Sequence, residues 1–501
     1  MEKNSLVSRV SKLEFILLLI ILAVGAFLRL NKIDQYMTFL GDEGRDVIVV
    51  RRLLVNFDPI LIGPGTSIGN MYLGPLYYYM MAPSLWLANF SPVGPAVQIA
   101  LLGVATIFMV WWVGREWFPS TGSGPSVAGL IAAGLYAISP TVIVYSRSSW
   151  NPNIMPFFAL LTIWSIWKVW KDKKYKWLIV LGISYAFVLQ SHYLGLLLVP
   201  TILIFWLLSR PPLRHTLFAI LLFSFLMSPL VIFDARHGWR NFASMKKFFS
   251  ERQTTVSARP WNAIPKLYPI FEKVNTRLIT GKNETAGKLL TIGIVLSLLW
   301  LVLFRKKSLT ILHQKSYILL LSWLGFALLG LGLYKQEIYD HYFGFFFPAP
   351  FLLIGALANQ VSGQVSRYLL LLVFSLLLLV NIKENPLKYL PNQQLRRARE
   401  VAQKIAEESN SERFNLAVIA ERNYEDGYQY FLEKDGLPVV DIDAQVSSSI
   451  ADQLFVVCEM PKEKCDPTHS PKAEVANFGW SKIESQWEVF GVTIYKLIHT
   501  K

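Results

Sequence analysis

Long apolar runs recur along the whole chain, and they constrain its fold more than any other feature. Each run is close to the length of about 17–25 residues that a helix needs to cross a bilayer. Only 17% of the 501 residues are charged, against roughly 25% in typical soluble domains. The sequence therefore predicts an integral membrane protein. The predominantly apolar segments cover residues 13–30, 97–114, 127–144, 156–170, 177–209, 217–233, 289–304, 317–333, 343–358 and 368–382.

The longest of these segments, residues 177–209, is predicted to form two spans. It has no acidic or basic side chain apart from His192, and Gln190-Ser191-His192 suits a hairpin between two helices. With this division the chain has about eleven spans of bilayer-crossing length. We therefore predict a polytopic all-α membrane domain over residues 1–385, with long loops at 31–96 and 234–288.

Basic residues concentrate in loops that lie on one side of the membrane when spans are counted from a cytoplasmic N-terminus. By the positive-inside rule this predicts a cytoplasmic N-terminus in the cell membrane and places both long loops and the C-terminal segment outside the cytoplasm. The same clustering accounts for the formal net charge of +15, so no nucleic-acid partner is predicted. The basic residues are Lys3, Arg9 and Lys12; Lys168, Lys171, Lys173, Lys174 and Lys176; Arg210 and Arg214; and Arg305, Lys306, Lys307 and Lys315.

The composition changes after the last span, and residues 386–501 are predicted to form a small extracytoplasmic α/β domain. An amphipathic helix is predicted over 393–408 and strands over 414–420, 451–458 and 487–497. The two cysteines of the chain, Cys458 and Cys465, lie in this domain. An external location would permit a disulfide, and two free thiols suit the spacing equally well.

The loop over residues 234–288 is basic, with interleaved phenylalanine and tryptophan. It could act as a lid over a lipid-facing site. It could equally rest on anionic lipid headgroups, which attract clustered cations.

Residues 41–46, Gly-Asp-Glu-Gly-Arg-Asp, follow the first span by about ten residues. Carboxylates so close to a membrane are costly unless they are used or paired. Asp42 could act as a general base towards an acceptor hydroxyl or amine, and Arg45 could bind a phosphate through its planar guanidinium. The alternative is structural: Asp42 and Glu43 could pair with Arg45 or cap the following helix.

An Asp-Glu pair in the first loop, followed by Tyr-Leu-Gly-Pro-Leu-Tyr-Tyr-Tyr at 72–79, resembles the GT-C membrane glycosyltransferases. Ser-Arg-Ser-Ser-Trp-Asn-Pro at 146–152, Ser-His-Tyr at 191–193 and Asp-His-Tyr at 340–342 fit the same resemblance. Within that superfamily the chain resembles the bacterial dolichyl-phosphate-mannose protein mannosyltransferase-like family, which is related to lipid A aminoarabinose transferase.

The resemblance implies inverting transfer of a sugar from a polyprenyl-phosphate donor, within membrane lipid, to an extracytoplasmic protein, lipid or polysaccharide. Asp42 would be the general base. Glu43 would shape the site or help to hold a divalent metal ion, which some members use. The residues predicted to bind donor phosphate or substrate are Arg45, Tyr77, Arg147, His192, His341 and Tyr342.

Two departures from the family pattern bear on metal binding. Many relatives have a histidine before the proline of the 72–79 segment and an aspartate after the third helix. This chain has Gly74 at the first place and offers Asn151 or Asn153 at the second. No histidine pair has the helical spacing of a zinc site, so no metal ligand is assigned.

A polytopic lipid or glycolipid transporter is the alternative class. Transporters place ionisable groups and broken helices near the bilayer midplane, often in repeated halves. Here the ionisable residues gather in loops at one face, which favours chemistry at the membrane surface.

Overall fold

The computed structural model describes residues 10–66, 71–120, 125–250, 255–257, 259–303 and 315–500. Some of the basic residues in the sequence lie outside these ranges. They are Lys3, Arg9 and residues 305–307, which contribute to the predicted topology, and Arg252, which contributes to the charge of the second long loop.

Apolar helices form the membrane body, as the long hydrophobic runs predict. Their ends follow local capping chemistry: the Ser11 hydroxyl accepts the Glu14 backbone N–H at 3.1 Å where the first helix begins, a typical N-cap. The helices of the N-terminal half are α1 (Lys12–Leu30), α2 (Ile33–Tyr36), α3 (Gly41–Asn56), α4 (Leu76–Leu87), α5 (Val93–Trp117), α6 (Val127–Ile138), α7 (Pro140–Tyr145), α8 (Met155–Asp172), α9 (Trp177–Ser191), α10 (Val199–Ser209) and α11 (Leu213–Arg236).

The second half of the body continues the same pattern up to residue 383. A 3₁₀ helix over Asp340–Phe346 precedes the helix that begins at Pro348, and the two axes differ by 59°. The helices are α12 (Arg240–Ser250), α13 (Ile264–Leu278), α14 (Glu284–Leu303), α15 (Lys315–Leu333), α16 (Pro348–Ala358) and α17 (Gln364–Lys383).

The structure does not confirm the predicted number of about eleven spans. In the described part of the chain, six helices are long and apolar enough to cross a membrane, or seven when the bent pair counts as one span. Other apolar helices, such as α6 and α9, have only 12 and 15 residues. The structure does confirm a multi-pass membrane protein with a mostly helical body.

The acidic cluster forms the first turn of α3, in the loop after α1. The Glu43 carboxylate accepts the backbone N–H of Leu40 at 3.0 Å, so one carboxylate of the cluster caps the helix that carries it. Val47 and Val50, which follow at helical spacing, are buried. They pack against other protein residues in a core shared by α4 and α5.

The C-terminal region contains one mixed four-stranded sheet and three helices. The helices are α18 (Gln394–Glu408), α19 (Asp426–Lys434) and α20 (Ala473–Phe478), and the strands are β1 (Asn415–Ile419), β2 (Gln453–Cys458), β3 (Ser481–Val489) and β4 (Val492–His499). The strand order is β1-β2-β4-β3. Strands β1 and β2 are parallel, and the other pairs are antiparallel.

One predicted strand was wrong. Residues 487–497 form parts of two strands joined by a tight turn. Phe490 and Gly491 have φ of 50° and 77°, the left-handed conformation that two-residue hairpin turns require. Gly491 was the local signal for this turn.

Cys458 and Cys465 form a disulfide, which resolves the choice between a bond and two free thiols. It links the end of β2 to the segment that follows. The bonded cysteines lie beside the smaller of the two cores of this region.

The larger core of the C-terminal region is continuous with that of the first loop. One buried apolar cluster contains residues from both regions: Val401 and Ile405 of α18, Phe431 of α19, Val47 of α3 and Tyr77 of α4. Because apolar surface buried from water is the main source of stability, the C-terminal region is held firmly against α3. This packing brings residues near 424 next to the acidic cluster.

Candidate active site

Arg45 lies between two aspartates of the acidic cluster. Its Nη1 donates to Asp42 Oδ1 at 2.9 Å, and its Nη2 and Nε donate to Asp46 Oδ1 at 2.8 and 3.1 Å. Asp46 is fully buried, whereas 42% of the Asp42 side chain is exposed. The two carboxylates therefore differ: Asp46 anchors Arg45, and Asp42 stays accessible at the surface of the site.

Asp42 uses only one of its oxygens for contacts within the described part of the protein. Arg45 and the hydroxyl of Tyr424 both donate to Oδ1. No hydrogen bond from a described residue reaches Oδ2. A carboxylate held at one oxygen and open at the other is suited to accept a proton from a bound molecule.

Glu43 is buried, with 6% of its surface exposed. Burial raises the pKa of Glu43 to about 7, because the charged carboxylate loses hydration when it is buried. The hydrogen bond from the Leu40 N–H lowers this pKa, and the negative charge of the neighbouring Asp42 raises it further. Burial likewise raises the pKa of Asp46 to about 6, against the effect of Arg45. The cluster therefore holds protons near neutral pH that ordinary carboxyls would lose.

Glu43 is expected to make stability depend on pH. Its pKa rises from 4.5 to about 7 on folding, so its contribution is fully present below about pH 4.5 and is lost as the pH rises through about 7. The free energy of unfolding should fall by up to about 3 kcal/mol over this interval. Glu43→Gln, which retains the capping oxygen, should flatten that part of the curve, as measured by unfolding of the nanodisc-embedded protein across pH.

The matched control for this measurement is Glu412→Gln, because Glu412 is exposed in the C-terminal region. This variant should keep the wild-type pH slope. Equal slopes for wild type and Glu43→Gln would contradict the prediction.

Two tyrosines of α4 lie beneath the cluster. Tyr77 is buried, and its hydroxyl is 2.6 Å from the Ser149 hydroxyl. The Tyr78 hydroxyl donates to Asp46 Oδ1 at 2.9 Å. The predicted substrate-binding role of Tyr77 stays a prediction. In the structure this buried residue links α4 to Ser149.

Arg147 is also buried, and it joins the end of α1 to the segment after α7. Its Nη1 and Nη2 donate to the carbonyls of Leu28 and Asn31 at 2.5 and 2.6 Å. Its guanidinium lies 5.2 Å from the ring centroid of Tyr36. These contacts anchor the first loop, and the predicted contact of Arg147 with donor phosphate stays a prediction.

His192, His341 and Tyr342 come together although they are distant in sequence. The His192 ring centroid lies 6.0 Å from that of His341 and 5.3 Å from that of Tyr342. Trp150 extends this aromatic group, with its ring 4.8 Å from His341. The structure therefore brings these three predicted residues together.

A cavity of about 600 Å³ opens beside this aromatic group. Three cationic side chains line it. Arg277 pairs with Asp340, its Nε lying 2.8 Å from Oδ1, and Lys273 donates to the Ile338 carbonyl at 2.7 Å. Lys282 has no side-chain hydrogen bond or ion pair with any described residue, so its charge is available. The lining residues are Tyr145, Pro269, Glu272, Lys273, Thr276, Arg277, Lys282, Glu284, Glu337, Ile338, Tyr339, Asp340 and His341.

Sequence reasoning missed Lys282 and Arg277. They belong to the basic 234–288 loop, whose second half forms the cavity wall. Their role depends on Asp340 and His341, which follow some sixty residues later in the chain. Only Gly281, at φ 56°, marks a local turn that presents Lys282.

Sequence reasoning also missed the contribution of the C-terminal region. Tyr424 donates to Asp42, and the Asn423 side-chain oxygen accepts the Gly41 N–H at 2.8 Å. At the other end of α3, Arg52 pairs with Glu433 at 2.6 Å. No motif or periodic pattern marks residues 423 and 424.

The residues present do not fit the divalent metal that the resemblance implies for some members. In the described ranges, no three histidine, cysteine or carboxylate side chains converge as metal ligands. Asp42 and Asp46 already direct an oxygen at Arg45. We therefore derive no catalytic step through a metal.

Comparison with known proteins identifies the architecture. The family model for dolichyl-phosphate-mannose-protein mannosyltransferase matches residues 73–234, and no curated protein matches the chain. The structure resembles that of ArnT from Cupriavidus metallidurans bound to undecaprenyl phosphate. The TM-score is 0.61 and the sequence identity is 12%, and the match covers 96% of this chain and 97% of that chain. The protein has the GT-C fold.

The GT-C fold also appears in a second match, the archaeal oligosaccharyltransferase AglB from Archaeoglobus fulgidus in complex with an inhibitory peptide and a dolichol-phosphate. That comparison gives a TM-score of 0.52 at 13% identity, over 89% of this chain and 69% of that chain. The predicted fold class and the resemblance to GT-C glycosyltransferases are confirmed. The family match covers Tyr77, Arg147 and His192. Asp42 and His341 lie outside the matched residues, so their predicted roles rest on the geometry of this structure.

Proposed function

We propose that this protein transfers a sugar from a polyprenyl-phosphate donor to an extracytoplasmic acceptor, with inversion and with Asp42 as general base. The observation that carries the proposal is the Asp42 carboxylate, which is 42% exposed and accepts hydrogen bonds from the described residues at Oδ1 alone. The same membrane domain contains a cavity of about 600 Å³ lined by His341 and three cationic side chains. The GT-C fold and the polyprenyl phosphates named in the two similar structures support the choice of donor.

The chemistry follows from this arrangement. An acceptor hydroxyl or amine bound against Oδ2 loses its proton to Asp42 as its oxygen or nitrogen attacks the anomeric carbon. The bond from that carbon to the phosphate oxygen breaks, and polyprenyl phosphate leaves with the electron pair. A phosphate monoester is a stable anion near neutral pH, so cationic groups that stabilise its charge matter more than a general acid.

The cavity provides groups for both parts of the donor. Lys282, together with the Arg277 guanidinium, would bind the phosphate, since charge-assisted hydrogen bonds to phosphate are strong. The carboxylates of Glu284 and Glu337 could accept hydrogen bonds from sugar hydroxyls. His341, one of the predicted donor contacts, lines the same cavity. Tyr342, the other, has its ring centroid 4.6 Å from that of His341.

The side of the membrane is part of the proposal. Gln393 donates its backbone N–H to the Gln35 carbonyl at 3.0 Å, so the start of the C-terminal region and the loop after α1 lie together. The basic loops of the sequence then favour the extracytoplasmic side for both. Donor lipid would enter from the membrane, and acceptor from outside.

The test is release of free polyprenyl phosphate by the purified protein in nanodiscs. A panel of polyprenyl-phosphate sugars is supplied with membrane extract as acceptor, and both the released lipid and the covalent product are measured. Release coupled to a glycosylated product supports the transferase. Movement of intact donor across liposome membranes without any covalent product would favour the transporter alternative.

Lys282→Gln is expected to raise the KM for the donor about tenfold or more, because a hydrogen bond to a charged group contributes about 1.5–3 kcal/mol. Partial burial lowers the pKa of Lys282, and the nearby Arg277 adds to this effect, whereas a bound phosphate would favour the charged form. The measurement is initial transfer rate against donor concentration.

Lys288→Gln is the control, because Lys288 is exposed on α14 and does not line the cavity. It should leave the KM unchanged. An unchanged KM for Lys282→Gln would remove Lys282 from the donor site.

A further inference from the structure

Tyr424 reaches the candidate base from the far end of the chain, 382 residues away. Its hydroxyl donates to Asp42 Oδ1, the same oxygen that accepts from Arg45 Nη1 at 2.9 Å. Two donors on one oxygen restrict rotation of the carboxylate. The other oxygen, Oδ2, accepts no hydrogen bond from the described residues, and the side chain is 42% exposed.

Tyr424 is itself held in place. The neighbouring Asn423 accepts the Gly41 N–H at 2.8 Å, and its amide donates to Glu459. The Tyr424 ring lies against Gly41, where any side-chain carbon would overlap it. Burial raises the pKa of Tyr424 above its usual range, so the phenol stays protonated and its O–H remains a donor.

We propose that Tyr424 is a positioning residue for the transfer reaction: it holds Asp42 Oδ1 so that Oδ2 meets the acceptor. The C-terminal region thereby completes the active site of the membrane domain. This inference rests on the proposed role of Asp42 as general base. It assigns a direct part in the reaction to a region that carries no recognisable catalytic motif.

Tyr424→Phe tests this inference, because it removes the hydroxyl and keeps the ring that packs on Gly41. We expect kcat to fall by about 10- to 100-fold, because small misplacements of reacting groups lower rates by such factors. The KM for the donor should not change. The acidic limb of the pH–rate profile should move to higher pH, because loss of a donor to a carboxylate favours its protonated form.

The control variant is Tyr430→Phe. Tyr430 is equally part of the C-terminal region, but its hydroxyl donates to the Phe90 carbonyl and not to Asp42. This variant should keep the wild-type kcat and pH profile. Thermal unfolding of both variants identifies a temperature at which each is folded, and the rates are compared there.

A double-mutant cycle separates positioning from general support of the fold. In the Asp42→Asn background, Tyr424→Phe should change the residual rate less than twofold, because the carboxylate it positions is already absent. A loss as large as in the wild-type background would overturn the inference in favour of a structural role.

The two proposals fail in different ways. A fully active Tyr424→Phe beside an inactive Asp42→Asn would overturn the positioning role and leave the proposed function intact. Full transfer by Asp42→Asn would overturn the general base, and the role of Tyr424 with it.

Discussion

Asp42→Asn is expected to lower the rate of sugar transfer by about 10²–10⁴-fold, the range that a positioned general base contributes. Asparagine keeps the shape of the side chain and an oxygen that can still accept from Arg45 and Tyr424. It removes the ability to take a proton, together with the negative charge that pairs with Arg45. The KM for the donor should change little, since Asp42 lies outside the cavity lining. Polyprenyl-phosphate release in nanodiscs measures the effect.

Asp58→Asn is the matched control for this loss. Asp58 is exposed just beyond the C-terminal end of α3, so the same chemical change there should leave transfer unaltered. Wild-type turnover by a folded Asp42→Asn protein would exclude Asp42 as the base. Glu43 and Asp46 would not replace it readily, because both are buried.

Gly44→Ala is expected to destabilise the contact between α3 and α19 and to reduce transfer. A side-chain carbon at Gly44 would overlap the backbone of Asp426 and Gly427. Backbone atoms cannot rotate aside as a flexible side chain can, so α19 must shift. Overpacking of this kind costs about 1–3 kcal/mol. The shift would also displace Tyr424, which precedes α19 by two residues, so kcat should fall by about tenfold or more.

Gly293→Ala provides the comparison for Gly44→Ala. Gly293 lies within α14 and has no neighbouring atom within 4 Å of the added carbon. Alanine favours a helix by up to about 1 kcal/mol over glycine, so this control should match or exceed wild-type stability. The measurements are thermal unfolding and transfer rate for both variants. A Gly44→Ala protein that matches wild type in both would show that α19 is not held closely against α3.

The local elements of the site were predictable because they depend on neighbouring residues. The apolar spacing of Val47 and Val50 indicates a helix, and the structure has that helix from Gly41 to Asn56. The predicted helix over 393–408 is also confirmed, as Gln394–Glu408. The hairpin at Phe490 was missed because strand propensity continues through a two-residue turn.

The partners of the charged residues were less predictable. Arg147 was predicted to contact donor phosphate, and in the structure its guanidinium donates to the carbonyls of Leu28 and Asn31. Asn151 and Asn153 likewise donate to the carbonyls of Ser191 and Ser148. A sequence pattern indicates which side chains can bind an anion. Unsatisfied carbonyls nearby decide which of them are already occupied.

The sequence by itself determined a multi-pass helical body, a C-terminal α/β region and an acidic cluster on the loop after the first span. Apolar runs and helical spacing act over a few residues, so they can be recognised without knowledge of the fold. Only the tertiary structure decided that Tyr424 touches Asp42 and that Lys282 shares a cavity with His341. Each of those contacts joins residues far apart in the chain. The first forms because buried apolar surface packs α18 and α19 against α3. The second forms because α13 lies beside the segment that begins at Asp340.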